Sequence, residues 1–258
     1  MAVVPFPNRP AALRVDPARL LPSGRAVLAA FALVGAAVAL YAGARTTKAF
    51  AIRTIEVQGA PGPTAARVRA ALRPLVGTSL VGLAPMEIAR RVDALPEVAS
   101  SRSDRAFPHT LRVWIVRERP VAVARRGAES WLVSARGRVV ARLRRGGRPA
   151  LPRIWLTRRT DVALGAHLAD PDALASVRAA AMLERTGFPV RVASVDATGG
   201  KLLFQLRSGI ELRLGAPSDL ELKLVIARQI VGGIAAPGYL DVSVPERPTA
   251  GPRLSTRT

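Results

Sequence analysis

From Ala26 to Ala44 the chain reads AVLAAFALVGAAVALYAGA, an apolar run without a charge, bounded by Arg25 and Arg45. At about 1.5 Å of rise per residue, a helix of this length covers roughly 28 Å, close to the hydrocarbon thickness of a bilayer. A helix satisfies its own backbone hydrogen bonds in lipid, so the run predicts a single transmembrane helix over 26–44. Downstream the pattern breaks into short elements. Ile52–Gln58 alternates apolar and polar positions and stops at Gly59, which reads as a strand and a turn. Thr64 is placed to cap a helix that reaches Leu72 before Pro74 ends it. A second helix starts near Pro85, where a missing N–H costs nothing, and runs through Ala94 with Ile88, Val92 and Leu95 on one face. Val98–Arg105 and Thr110–Arg117 read as two strands joined through Phe107-Pro108-His109. The order β-α-α-β-β makes 50–118 one small α/β domain.

Pro120 marks a junction. Beyond it, short strands are predicted over Val121–Arg126, Ser130–Ser134, Val139–Leu143 and Ile154–Leu156, with turns at Gly127 and Arg136-Gly137. A helix follows, with Asp170 as its cap, Pro171 in its first position and Gly187 just past its end. Val190–Ala197, Lys201–Arg207 and Ile210–Leu214 form a meander, turned at Gly199-Gly200 and Ser208-Gly209. Ser218-x-x-Glu221 is a capping box that opens a helix to about Val231. Tyr239–Val244 is the last strand, closed by Pro245. The expected fold class is therefore α+β, with a mainly antiparallel β-domain and flanking helices over 119–248. The Pro-rich 1–25 and the tail 249–258 have the composition of disorder.

Charge adds a question of partners. The net charge is +21 and the sequence pI about 11.9; apart from Lys48, Lys201 and Lys223, the 39 basic residues are all Arg. Such a balance suits a polyanion, whether nucleic acid, anionic headgroups or a cell-wall polymer. Yet the densest stretch, Arg117–Arg159, alternates arginine with apolar residues as the wet face of strands does. Aromatic residues are only 4% of the chain, which leaves little for bases to stack on, so nucleic acid is not expected. Cysteine is absent, and His109 and His167 stand far from any ligand-like spacing, so no metal is expected. No phosphate-binding glycine loop and no nucleophile–base pairing can be picked out, which points away from an enzyme and from a cofactor.

The tail before the apolar run carries Arg9, Arg14, Arg19 and Arg25 against Asp16. Positive flanks favour a cytoplasmic tail, with 45–258 outside. Ala42-Gly43-Ala44 also has the form of a signal-peptide cleavage site, although the tail is long for an n-region.

Several motifs in fixed order resemble the bacterial cell-division protein FtsQ, called DivIB in some lineages. They are Ile55-Glu56-Val57-Gln58-Gly59, Leu95-Pro96-Glu97-Val98 and Arg105-Ala106-Phe107-Pro108-His109-Thr110-Leu111. Glu118-Arg119-Pro120-Val121-Ala122, Leu212-Arg213-Leu214-Gly215, Lys223-Leu224 and Tyr239-Leu240-Asp241-Val242 follow. Phe107 stands where the family often has Trp, Ala60 where Asn is common, and Ser134 where Asp is frequent. The resemblance implies a POTRA domain (polypeptide-transport-associated) followed by a β-domain. It also implies a non-enzymatic scaffold at the division septum that holds FtsB and FtsL and influences septal peptidoglycan synthesis. A POTRA-bearing envelope-assembly protein and a membrane-anchored polyanion-binding protein are the competing readings.

Strand addition is the expected physical route to a partner. If Tyr239, Leu240, Asp241, Val242, Ser243 and Val244 form an edge strand, their outer N–H and C=O groups can accept a partner segment. The resemblance points to the same end of the β-domain as the place where FtsB binds. Lys223, in the preceding helix, could donate to a partner acid or cap carbonyls of its own chain.

Overall fold

The structure, a computed structural model, describes residues 24–252 apart from 145 and 148. The expectations for residues 1–23 and 253–258 lie outside the described residues. Helix α1 (Gly24–Thr46) takes up the apolar run and is exposed along nearly its whole length. Among the described residues it is the one helix long and apolar enough to cross a membrane. The side-chain hydroxyl of Ser79 donates to the Ala44 carbonyl (2.9 Å), so the C-terminal end of α1 is fastened to the unit that follows.

That unit contains β1 (Thr54–Gln58), α2 (Gly62–Leu72), α3 (Pro85–Asp93), β2 (Val98–Ala106) and β3 (Thr110–Arg117). Its three-stranded sheet has the order β1-β3-β2, with β1 parallel and β2 antiparallel to β3. Leu111, Val113 and Ile115 alternate along β3 and are buried against Val68, Leu72, Ile88 and Val92 of the two helices. On the other face Arg112 pairs with Glu56, its cross-strand neighbour on β1, at 2.8 Å. Helix α2 differs from the sequence expectation. It starts at Gly62 behind Pro61, with Pro63 inside the first turn, and Thr64 is buried within the helix instead of capping it. A proline in the first turn needs no hydrogen-bond acceptor, so the helix gains a turn at no backbone cost.

A nine-stranded sheet forms the larger part. Its strands are β4 (Pro120–Arg126), β5 (Glu129–Ser134), β6 (Val139–Arg142), β7 (Arg153–Trp155), β8 (Val192–Thr198), β9 (Lys201–Leu206), β10 (Glu211–Gly215), β11 (Gly238–Asp241) and β12 (Thr249–Pro252). Their spatial order is β12-β11-β10-β9-β8-β7-β4-β5-β6. Most neighbours are antiparallel, but β4–β7, β7–β8 and β10–β11 are parallel. Helices α4 (Pro171–Thr186) and α5 (Leu220–Ile230) pack over a continuous core that includes Ile154, Val177, Phe204, Leu212, Leu224 and Leu240.

Helix α4 forms where local signals place it. The Asp170 carboxylate accepts from the N–H groups of Asp172 and Ala173, and Gly187 closes the helix in the left-handed conformation. Helix α5 does not form through the expected capping box. Asp219 stands at its N-cap with φ 53°, without a side-chain cap bond, so Ser218 falls outside the helix. The tail expectation is corrected as well: residues 249–252 are β12, because their backbone completes a ladder with β11 that compensates for a sequence with little strand character.

The two sheets meet through arginines. Arg138, only 8% exposed, donates to the carbonyls of Val98 (2.7 Å), Asp93 (2.7 Å) and Gly165 (2.9 Å). Arg136 pairs with the buried Glu118 carboxylate and also donates to the Ala99 carbonyl (2.9 Å).

Candidate partner-binding edge

The C-terminal end of the large sheet is built on two strands of very different depth. β10 supplies Leu212 and Leu214, both fully buried, and β11 pairs with it in parallel register: Glu211 with Tyr239, Leu212 with Leu240, Arg213 with Asp241. Leu240 and Val242 point into the core and are completely buried. Strand alternation therefore leaves Tyr239 and Asp241 on the opposite face.

Tyr239 is held from two sides. The Arg213 guanidinium lies 4.7 Å from its ring centroid, and Gly251 of β12 passes so close that a Cβ there would stand 3.0 Å from the ring. Arg213 in turn donates to Glu211 at 2.8 Å, and that bond is the main cause raising its pKa above the ordinary value.

The strand expected over Tyr239–Val244 is shorter in the structure. The ladder to β10 ends after the Val242 N–H donates to the Arg213 carbonyl (2.9 Å). The Asp241 carboxylate then accepts from the Ser243 N–H (2.9 Å), an Asx-type turn that bends the chain away. Ser243 packs over Gly215, where φ is 63° and a Cβ would meet the Ser243 Cβ at 2.7 Å. Val244 is 53% exposed. Nor is β11 terminal: its outer side is paired with β12, through Tyr239 with Gly251, Leu240 with Ala250 and Asp241 with Thr249. The terminal strand of the sheet is thus β12, whose side chains are mostly exposed.

Lys223 lies behind this edge, 2% exposed, and its Nζ donates to the Ala216 carbonyl at 2.8 Å. Of the two roles open to it in sequence, carbonyl capping is the one its position serves. Sequence reading missed Arg213, Gly215, Gly251 and β12 as parts of this end. The Leu-Arg-Leu-Gly run held the first two in plain view, but Thr-Ala-Gly-Pro carries no alternation to mark a strand. Among the described residues, no group of three or more His, Asp or Glu side chains is placed to hold a metal ion. The edge offers main-chain hydrogen bonds, an exposed valine and a clamped tyrosine, which is chemistry for binding.

A family model matches the unit that follows α1. Residues 50–119 match the family model described as "POTRA domain, FtsQ-type". The chain is also 35% identical over 97 residues to the protein named "Cell division protein FtsQ" of Mycobacterium leprae (strain Br4923). That match covers 38% of this chain and 27% of the relative's length.

Proposed function

We propose that this chain, whose FtsQ-type POTRA domain and likeness to a cell division protein FtsQ support membership of the FtsQ/DivIB family, is a non-enzymatic scaffold of bacterial cell division. Helix α1 anchors it in the cell membrane, with residues 1–25 on the cytoplasmic side and the two outer domains, 50–118 and 119–248, at the division septum. There it binds FtsB and FtsL and helps to assemble and regulate septal peptidoglycan synthesis. The observation that carries this reading is an order of parts. One membrane-length apolar helix is followed at once by an FtsQ-type POTRA domain and then by a large sheet that ends in a terminal strand.

The partner segment adds to that end of the sheet. Because β12 covers β11, the incoming strand meets the outer side of β12, with Tyr239–Asp241 paired behind it and Val242–Val244 continuing past the end of that pairing. Leu240 and Val242 fix the layer in the core, Tyr239 sets the position of β12, and Val244 offers apolar surface beside it. Lys223 holds the turn at Ala216 that leads into the supporting helix.

Co-purification of the full-length chain with FtsB and FtsL from detergent extracts tests the reading. Wild type retains both partners. Val244→Asp, at an exposed position, leaves the fold intact and weakens retention by roughly tenfold, the scale of one lost apolar contact plus a desolvated charge. Undiminished retention by Val244→Asp and by Ala250→Pro would place the partner elsewhere.

A further inference from the structure

The arginines of 117–159 read in sequence as a solvated face. In the structure they are largely exposed, and several of them line a cleft of about 980 Å³. Arg125 (β4), Arg142 (β6), Arg153 (β7), Arg144 just after β6 and Arg207 just after β9 all line it, with Glu129 as the one acid in the lining. Glu129 is already engaged by Arg126 (3.0 Å) and Arg142 (2.6 Å). Arg125, Arg144, Arg153 and Arg207 form no ion pair among the described residues. The Nε of Arg125 is buried without a hydrogen-bond acceptor, while its guanidinium lies 5.3 Å from the centroid of the Trp155 ring.

The sheet topology explains why a cleft opens here. β7 has three residues and meets β8 at the single pair Arg153–Ser194, so the ladder thins in the middle of the sheet. The parallel register of β4 and β7 pairs Arg125 with Trp155 and Val123 with Arg153, and the alternation puts all four side chains on one face. Val123 and Leu206 add apolar wall to the same cleft.

We propose that this cleft binds a ligand with clustered phosphate charge, such as a diphosphate or oligophosphate group carried on a larger body. Guanidinium groups carried by separate strands around one concavity can match the several oxygens of such a group in a bidentate manner, and the concavity concentrates their field. The cleft volume lies at the upper end of the range for small-molecule sites, which leaves room for a body beyond the phosphates. This site is independent of the sheet end proposed for partner binding.

The test uses the full-length protein in lipid nanodiscs, titrated with inorganic tripolyphosphate and followed by calorimetry and by tryptophan fluorescence. Trp155 is 52% exposed beside Arg125, so filling the cleft changes its emission. Saturable binding is expected, roughly tenfold weaker in Arg153→Glu and in Arg207→Glu and unchanged in Arg185→Glu, on the exposed side of α4. Nanodiscs with and without a diphosphate-bearing lipid separate the sources: occlusion of the cleft only with that lipid assigns a headgroup, whereas equal titrations assign a soluble phosphate ester. Non-saturable binding lowered equally by all three variants would overturn the proposal in favour of a diffuse basic surface. Stronger binding of an oligoglutamate peptide than of tripolyphosphate would overturn it in favour of an acidic peptide.

Discussion

Arg138 reaches from the large sheet to the carbonyl of Val98, 2.7 Å away at the first residue of β2, and so joins the two sheet units at a buried point. Its other nitrogens serve the carbonyls of Asp93 at the end of α3 and of Gly165 in the loop between β7 and α4. Three carbonyls thus accept from one side chain. The junction is thus a hydrogen-bonded seam, reinforced by Arg136 on Glu118 and on the Ala99 carbonyl.

Arg138→Met removes the donors while keeping most of the packing, and the three carbonyls lose these bonds. A loss of about 3 kcal/mol in unfolding free energy is expected from charge-assisted bonds of this kind. Denaturant unfolding of the full-length protein, followed by intrinsic fluorescence, measures it. Wild type unfolds its two sheet units in one transition, and the variant separates into two.

Lys223→Ala deletes a buried stem and the donor to Ala216 together. A cost of about 2–3 kcal/mol follows from the cavity and the unpaired carbonyl. Partner retention per folded molecule stays at the wild-type level, because the amine faces its own chain. Paired stability and co-purification measurements separate these two effects.

Burial raises the pKa of Asp196 on β8 above its ordinary 3.8, against a smaller opposing effect of the hydrogen bond with Ser194. The native state then holds this proton more tightly than the unfolded chain, so stability falls as pH rises through the window just above 3.8. The full penalty is present at neutral pH. Asp196→Asn is expected to raise the melting temperature at about pH 7 and to converge with wild type near about pH 3. A pH series of thermal melts of both proteins measures the difference.

The parts legible in sequence were those with local causes. The uncharged run marked the apolar helix α1, and Asp170, Pro171 and Gly187 marked both ends of α4 by capping chemistry that acts within a few residues. Leu111, Val113 and Ile115 announced a half-buried strand by alternation alone. What escaped depends on distant neighbours. β12 is a strand only because β11 lies beside it, and α5 starts at a left-handed Asp219 that no pattern marks. The arginines divide in the same way. Arg138 and Arg153 look alike in a run of basic residues, yet one is buried on three carbonyls and the other lines an open cleft. Likewise the strand at Tyr239 was visible, but its covered outer side was not.

The central claim is a place as well as a fold. It is tested most directly by imaging the full-length chain, tagged at its N-terminus with a fluorescent protein, in dividing cells of its own source. The account predicts a band at the division site that forms as constriction begins. An even envelope signal throughout division would contradict it.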